Sequence, residues 1–287
     1  MSTAAGLALL CLLASGLIDL VFKLYANQPR SRGMLVFGIG CVWTVLQLAY
    51  VGVTDASFAL NQATLVYGLI AAVLVTLSNL LLLECLGHLP ISMASTIYRL
   101  NTVPLVMLAF LFLGEDIGLI RGTGIVAGLV TVLLLYQPGS KTTRLGAHFG
   151  TFLALIIVAS CIRALYGIFT KAGLNAGGDA NTMMLFAAVG WCTGGLLYAQ
   201  FRERRVVLTR DKLKFIPIAG CLVFAIVWLL TTALTLGDAS VVVPLANMGF
   251  VAAFVFSVVL KLESLTPRKT LAIVSAIASI ILLTSTA

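Results

Sequence analysis

Charge is what this 287-residue chain has least of: 10% of its residues are charged, ten acids and eighteen bases. Soluble domains carry about 25%. With 61% hydrophobic residues and a mean hydropathy of +1.11, the scarcity excludes an ordinary soluble domain. Histidine is nearly missing too, with only His88 and His148. No metal-spaced His/Asp/Glu cluster, no HExxH and no Ser–His arrangement is present, so an intramembrane enzyme is the weakest reading. A Walker-type glycine loop is also missing, and nothing in the chain would hydrolyse ATP. Basic patches interleaved with aromatics do not occur, so nucleic acid is excluded as a partner. The net charge of +8 is therefore a topology signal first. The six cysteines (Cys11, Cys41, Cys85, Cys161, Cys192, Cys221) follow no zinc, haem or disulfide spacing and read as small packing residues. No cofactor is expected.

What is present is long apolar runs. A span of the ~30 Å hydrocarbon core takes about 20 apolar residues. Ten runs meet that length: about 4–26, 34–53, 63–86, 91–113, 117–137, 148–171, 181–200, 215–236, 239–262 and 268–286. The first has no basic n-region and contains Asp19 and Lys23, so it reads as a span and not a cleaved signal. The expected fold is an all-α polytopic membrane protein with two five-helix repeats, 1–138 and 148–287, joined by a basic linker at 139–147. The fourth and fifth runs echo the ninth and tenth, each pair breaking at an acid, Glu115 and Glu263, 148 positions apart. Five spans is an odd number, so the second copy must enter the membrane inverted, a transporter pattern.

Lys and Arg gather after runs 1, 5, 7 and 9, while the opposite loops hold Arg121 and Lys171 beside Asp55, Asp116, Asp179 and Asp238. The positive-inside rule then puts both termini outside the cytoplasm.

At the breaks Gly114-Glu115-Asp116-Ile117 (followed by Gly122, Gly124 and Gly128) and Glu263-Ser264-Leu265-Thr266 (followed by Ala272, Ala276 and Ala278), the chain resembles the EamA-type ten-helix branch of the drug/metabolite transporter superfamily. Pro104 matches that branch's proline before the break. In the second half Phe250 or Ala252 stands there instead, and Pro244 comes earlier. The resemblance implies an integral protein of the bacterial cytoplasmic (inner) membrane with a substrate cavity between its halves.

Several polar residues inside the runs are candidate substrate groups. Arg99, within ISMASTIYRLNT, shares a helical face with Ser92, Ser95 and Thr102, and stands beside Tyr98 and Asn101. A guanidinium stays charged and costs about 2.5–3.5 kcal/mol at the bilayer centre even on the lenient scale, so it needs a partner, a wet cavity or a ligand. Asp19 falls at the same depth and is the expected partner. Arg163, on a stripe with Ser160, Tyr166, Gly167 and Thr170, has no acid in its own helix and is the best candidate for an anionic substrate group. Asn247 answers Arg99 under the repeat and is expected near Arg163. Trp43, Trp228 and Asn79 are further cavity candidates. Glu115 and Glu263 are expected to cap helices 5 and 10, which they open. Lys23, Glu84 and Lys171 are expected to snorkel or pair at the interfaces.

The function that fits is secondary transport by alternating access, with export of a small anionic or zwitterionic metabolite such as an amino acid or organic acid. Protons are the coupling ion if Asp19 titrates, and the working unit is a monomer or homodimer. Two other readings stay open: a passive channel or facilitator, and an exporter of cationic drugs through Asp19.

Overall fold

The structure is a computed structural model that describes residues 3–26, 31–85, 88–89, 94, 97–116, 118–135, 149–204, 206, 210–249, 251–252, 255–256 and 266–284. Every regular element among them is helical. In the first half these are α1 (Thr3–Ala26), α2 (Arg32–Val53), α3 (Gln62–Cys85), α4 (Thr102–Leu108, continued as a π-turn over Ala109–Leu113) and α5 (Leu119–Leu135). In the second half they are α6 (Phe149–Asn175), α7 (Ala180–Phe201), α8 (Arg210–Leu236), α9 (Ala239–Asn247) and α10 (Pro267–Thr284). Six of these, α1, α2, α3, α6, α7 and α8, are long and apolar enough to cross a membrane, and shorter apolar helices cover Ile97–Leu113, Leu119–Leu134 and Thr270–Thr284. Apolar side chains such as Val73, Phe112, Leu119 and Ile281 stand outward, as a lipid solvent allows.

Local chemistry sets several ends. The Ser31 hydroxyl accepts from Met34 N at the start of α2, and the Asp179 carboxylate accepts from Thr182 N at the start of α7. The π-turn ends at Gly114, whose φ of 65° suits a residue without a Cβ. Pro104 sits in the first turn of α4, where a missing N–H costs nothing.

The strongest packing joins the halves: α2 lies on α7, α3 on α6 and α7, α8 on α1 and α2, and α5 on α10. Small residues permit the closest approach. A Cβ on Gly33 would lie 2.6 Å from Ala199 N, and one on Gly40 would lie 2.5 Å from Cys192 N, so α2 and α7 touch backbone to backbone.

The fourth run departs from the continuous helix expected over 91–113. Leu100 and Asn101 form a turn, and α4 begins only at Thr102. The ninth run ends its first helix at Asn247, with Met248 as cap. Ser92, Ser95, Glu263, Phe250, His148 and the whole linker at 139–147 lie outside the described residues.

Candidate functional site

The two helix interruptions meet. Arg99 stands just before the break that precedes α4, and Asn247 is the last residue of α9. Arg99 Nη1 donates to the Asn247 carbonyl at 3.0 Å. A cation at a helix C-terminus meets carbonyls that no intrahelical donor satisfies. Arg99 Nη2 is ion-paired with the Asp19 carboxylate, reaching across from α1. The Asn247 amide donates to Asn101 Oδ1 at 2.7 Å and to Thr102 Oγ1 at 3.3 Å. Asn101 in turn donates to the Tyr98 carbonyl at 2.8 Å, which also accepts from Ser160 Oγ at 3.4 Å. The Tyr98 hydroxyl donates to Ser78 Oγ at 3.4 Å. At the break the Tyr98 carbonyl thus accepts from the Asn101 amide and from Ser160 of α6, while Asp19 of α1 holds the Arg99 guanidinium and the Asn247 amide of α9 reaches the Asn101 and Thr102 side chains.

Two small cavities flank this network. One of ≈20 Å³ lies between Arg99, Thr102, Asn247, Gly128 and Ser279. The other, of ≈30 Å³, lies between Arg163, Tyr166, Asn101, Asn247, Ser15 and Cys11. Either is large enough for at least one water by the usual measure of about 10–15 Å³. Asn247 borders both. Arg163 differs from Arg99 in its partners. Its guanidinium lies over the Tyr166 ring, 4.9 Å from the centroid. Among the described residues no hydrogen bond or ion pair to it is present. Its charge faces a cavity lined by amides, a hydroxyl and a thiol.

Asp19, Arg99, Asn101 and Asn247 are therefore brought into one network, with Tyr98 attached through its carbonyl. Arg163 and Tyr166 lie across the second cavity from Asn101 and Asn247. Trp43 and Trp228 sit elsewhere: Trp43 packs edge-on against Trp191 at 6.0 Å, and Trp228 packs against Tyr50 at 5.9 Å. Asn79 donates to its own helix, at Val75 O.

Two expectations about charged residues need correction. Glu115 does not cap helix α5, which it precedes. Its carboxylate accepts from Ala239 N and Ser240 N, both at 2.8 Å, and so caps α9 in the other half. The loop at Gly114 turns the carboxylate toward a neighbouring N-terminus instead of the following one. Lys171 does not snorkel. It is buried and donates to Leu234 O at 2.7 Å and Gly237 O at 2.8 Å, which caps α8. Arg121 pairs with Asp238 at 2.7 Å near the same end. At the opposite end Glu84 gathers Arg202, Arg32, His88 and the Tyr198 hydroxyl, and Glu203 accepts from Ser31, Arg32 N and Gly33 N at the start of α2. Apart from His88, four residues after Glu84, sequence spacing carried no signal for these partners, because each acid acts on an element far away in the chain and reached only through the fold.

Residues 150–285 match the model of the EamA-like transporter family. The second half of the chain is an EamA-like transporter domain. One solved crystal structure covers 100% of this chain and 98% of its own with a TM-score of 0.85 at 13% identity, a likeness of fold alone. No curated protein matches the sequence. The EamA-like domain begins with α6 and runs through α10, so it carries Arg163, Tyr166 and Asn247, while Asp19, Arg99 and Asn101 come from the half that precedes it. Family and apolar helices together make the chain an integral membrane protein, a transporter of the drug/metabolite type.

Proposed function

We propose that this EamA-like protein is a secondary transporter that exports a small polar metabolite with an anionic or zwitterionic group, by alternating access about a site between two inverted five-helix repeats of ten spans. The single observation that carries the substrate class is Arg163. A guanidinium with an aromatic ring beneath it, a cavity in front of it and no carboxylate from the described residues is suited to a carboxylate or phosphate. Arg99 is already engaged by Asp19, so the pair supplies a second basic group only when Asp19 is displaced or protonated. A cationic drug would have to take Asp19 from Arg99, which makes the cationic reading the less favoured one.

Support for the inverted repeats comes from residues 148 positions apart, the spacing of Glu115 and Glu263 in the sequence. Arg99 bonds Asn247 O, Ser275 Oγ donates to Ala127 O at 2.8 Å, and Thr44 Oγ1 lies 3.8 Å from Cys192 Sγ, all at that separation. Trp43 and Trp191 also stand at that separation and are in ring contact. Equivalent positions of two copies touch only along a two-fold axis. The packing partners also interchange: α3 on α6 answers α8 on α1, and α3 on α7 answers α8 on α2. A substrate site on such an axis near the midplane is the arrangement expected of inverted-repeat transporters.

The test is thermal stabilisation of the purified chain by a panel of amino acids, organic acids, phosphorylated compounds and cationic drugs. An anionic or zwitterionic compound should raise the melting temperature of the wild type and of Arg163→Lys, and leave Arg163→Gln unmoved. Stabilisation by cationic drugs alone would overturn the substrate class. Proton coupling has its own check: flux of that compound in reconstituted vesicles should follow an imposed pH gradient in the wild type and lose that dependence in Asp19→Asn. Flux indifferent to the gradient in the wild type would remove Asp19 as the coupling group.

A further inference from the structure

Four of the six thiols stand apart from one another: Cys11 bonds Ile226 O, Cys85 bonds Phe152 O, and Cys161 and Cys221 face outward. The remaining two do not. Cys41 of α2 and Cys192 of α7 have their sulfurs 3.7 Å apart, and Thr44 Oγ1 lies 3.8 Å from Cys192 Sγ. Both cysteines are half-buried, near the middle of their helices. The backbones around them are held close, because Gly40 rests against Cys192 N. The pair therefore stands where the two halves of the chain approach closely.

We propose that Cys41 and Cys192 form a two-coordinate site for a soft, thiophilic divalent cation of the mercuric type, which bridges the two halves. Geometry and charge select the ion together. Among the described residues no group of three or more His, Cys, Asp or Glu gathers anywhere, so zinc and its tetrahedral relatives lack their ligands. Soft ions prefer thiolates, and a linear bridge with metal–sulfur bonds of about 2.3 Å needs the sulfurs roughly 0.9 Å further apart than 3.7 Å. Rotation of the cysteine side chains provides that without separating the helices. A bis-thiolate of a divalent ion is neutral, whereas one of a monovalent ion keeps a negative charge that the apolar surroundings penalise. Neutral mercuric chloride can reach the site through lipid. There it exchanges two chlorides for two thiolates, and two equivalents of HCl leave with the two thiol protons. This inference does not rest on the transport reading.

The experiment uses the full chain with Cys11, Cys85, Cys161 and Cys221 replaced by Ala and a protease site inserted in the 139–147 linker. After treatment with mercuric chloride and cleavage, the halves should stay joined under denaturing conditions, hold one ion per chain by intact mass and separate on adding a small dithiol. Cys41→Ser and Cys192→Ser should each abolish the link, and a hundredfold excess of zinc should not protect the thiols from maleimide. If the four-alanine chain fails to fold, peptide mapping of mercury-treated wild type replaces it, with a Cys41–Cys192 bridged peptide pair as the expected product. Halves that separate, two mercury ions held singly, a wild-type map showing only single-cysteine adducts, or equal protection by zinc would overturn the two-coordinate site.

Discussion

At the residue scale, Asp19 and Arg99 show how a membrane interior handles charge. Each alone would be costly, and together they form an ion pair whose arginine also takes the open end of α9. Removing one partner of a buried pair costs about 3–5 kcal/mol, because the other charge is left without compensation. Here the Asp19 side chain is 34% exposed, which argues for the lower part of that range or below. Asp19→Asn and Arg99→Gln are each expected to cost about 2–3 kcal/mol, and the double variant clearly less than their sum. A double-mutant cycle from melting curves measures this, and strict additivity would mean the two charges do not depend on one another. Sequence depth alone pointed to this pair, because a helix rises about 1.5 Å per residue and both residues count back to one membrane face. Arg163 was equally visible as a charge in an apolar run. Its ring partner Tyr166 followed from a spacing of three residues on one helix face.

At the scale of elements, the ends of α8 and α9 are finished by residues of other helices. Lys171 from α6 caps the C-terminus of α8, and Glu115, before α5, caps the N-terminus of α9. Such caps are worth about 0.5–2 kcal/mol when the terminus is wet, and more when a buried N–H is left unpaired. Glu115 is only 8% exposed. Glu115→Ala is therefore expected to destabilise the chain by about 2–3 kcal/mol, and Glu115→Gln by less, since one amide oxygen can still accept. Thermal melts of the two variants decide it, and equal losses would mean the charge matters more than the acceptors. The sequence marked Glu115 as a capping acid and named the wrong helix. A carboxylate after a glycine in the left-handed region is free to turn either way, and only the position of α9 settles which N-terminus it meets.

At the scale of the whole molecule, the proposed repeat makes a prediction that needs no knowledge of the chemistry at the site. If the halves exchange conformations during transport, any distance between positions 148 apart is carried onto itself and stays the same in both states. Other distances are traded. Val53 and Phe201 are such a pair, and both are exposed. Spin labels there should report one unchanged distance with and without the stabilising compound, whereas labels at Leu60 and Leu236, which do not stand in that relation, should shift. Movement of the first pair and not the second would oppose the exchange.

The sequence by itself determined that the chain is apolar enough for lipid, roughly where its apolar runs lie, and which side chains could not be idle there. Transfer free energy follows from composition and length, and a charge in an apolar run is costly wherever the run ends up. Beyond the Asp19–Arg99 pair, it could not say which partners those charges take. The break at Asn101, the meeting of Arg99 with Asn247 O, the seat of Glu115 on α9 and the approach of Cys41 to Cys192 depend on packing between residues 124 to 151 positions apart. Those contacts are chosen by close fit at small residues such as Gly40, and local propensity carries no record of them. Only the tertiary structure decided them.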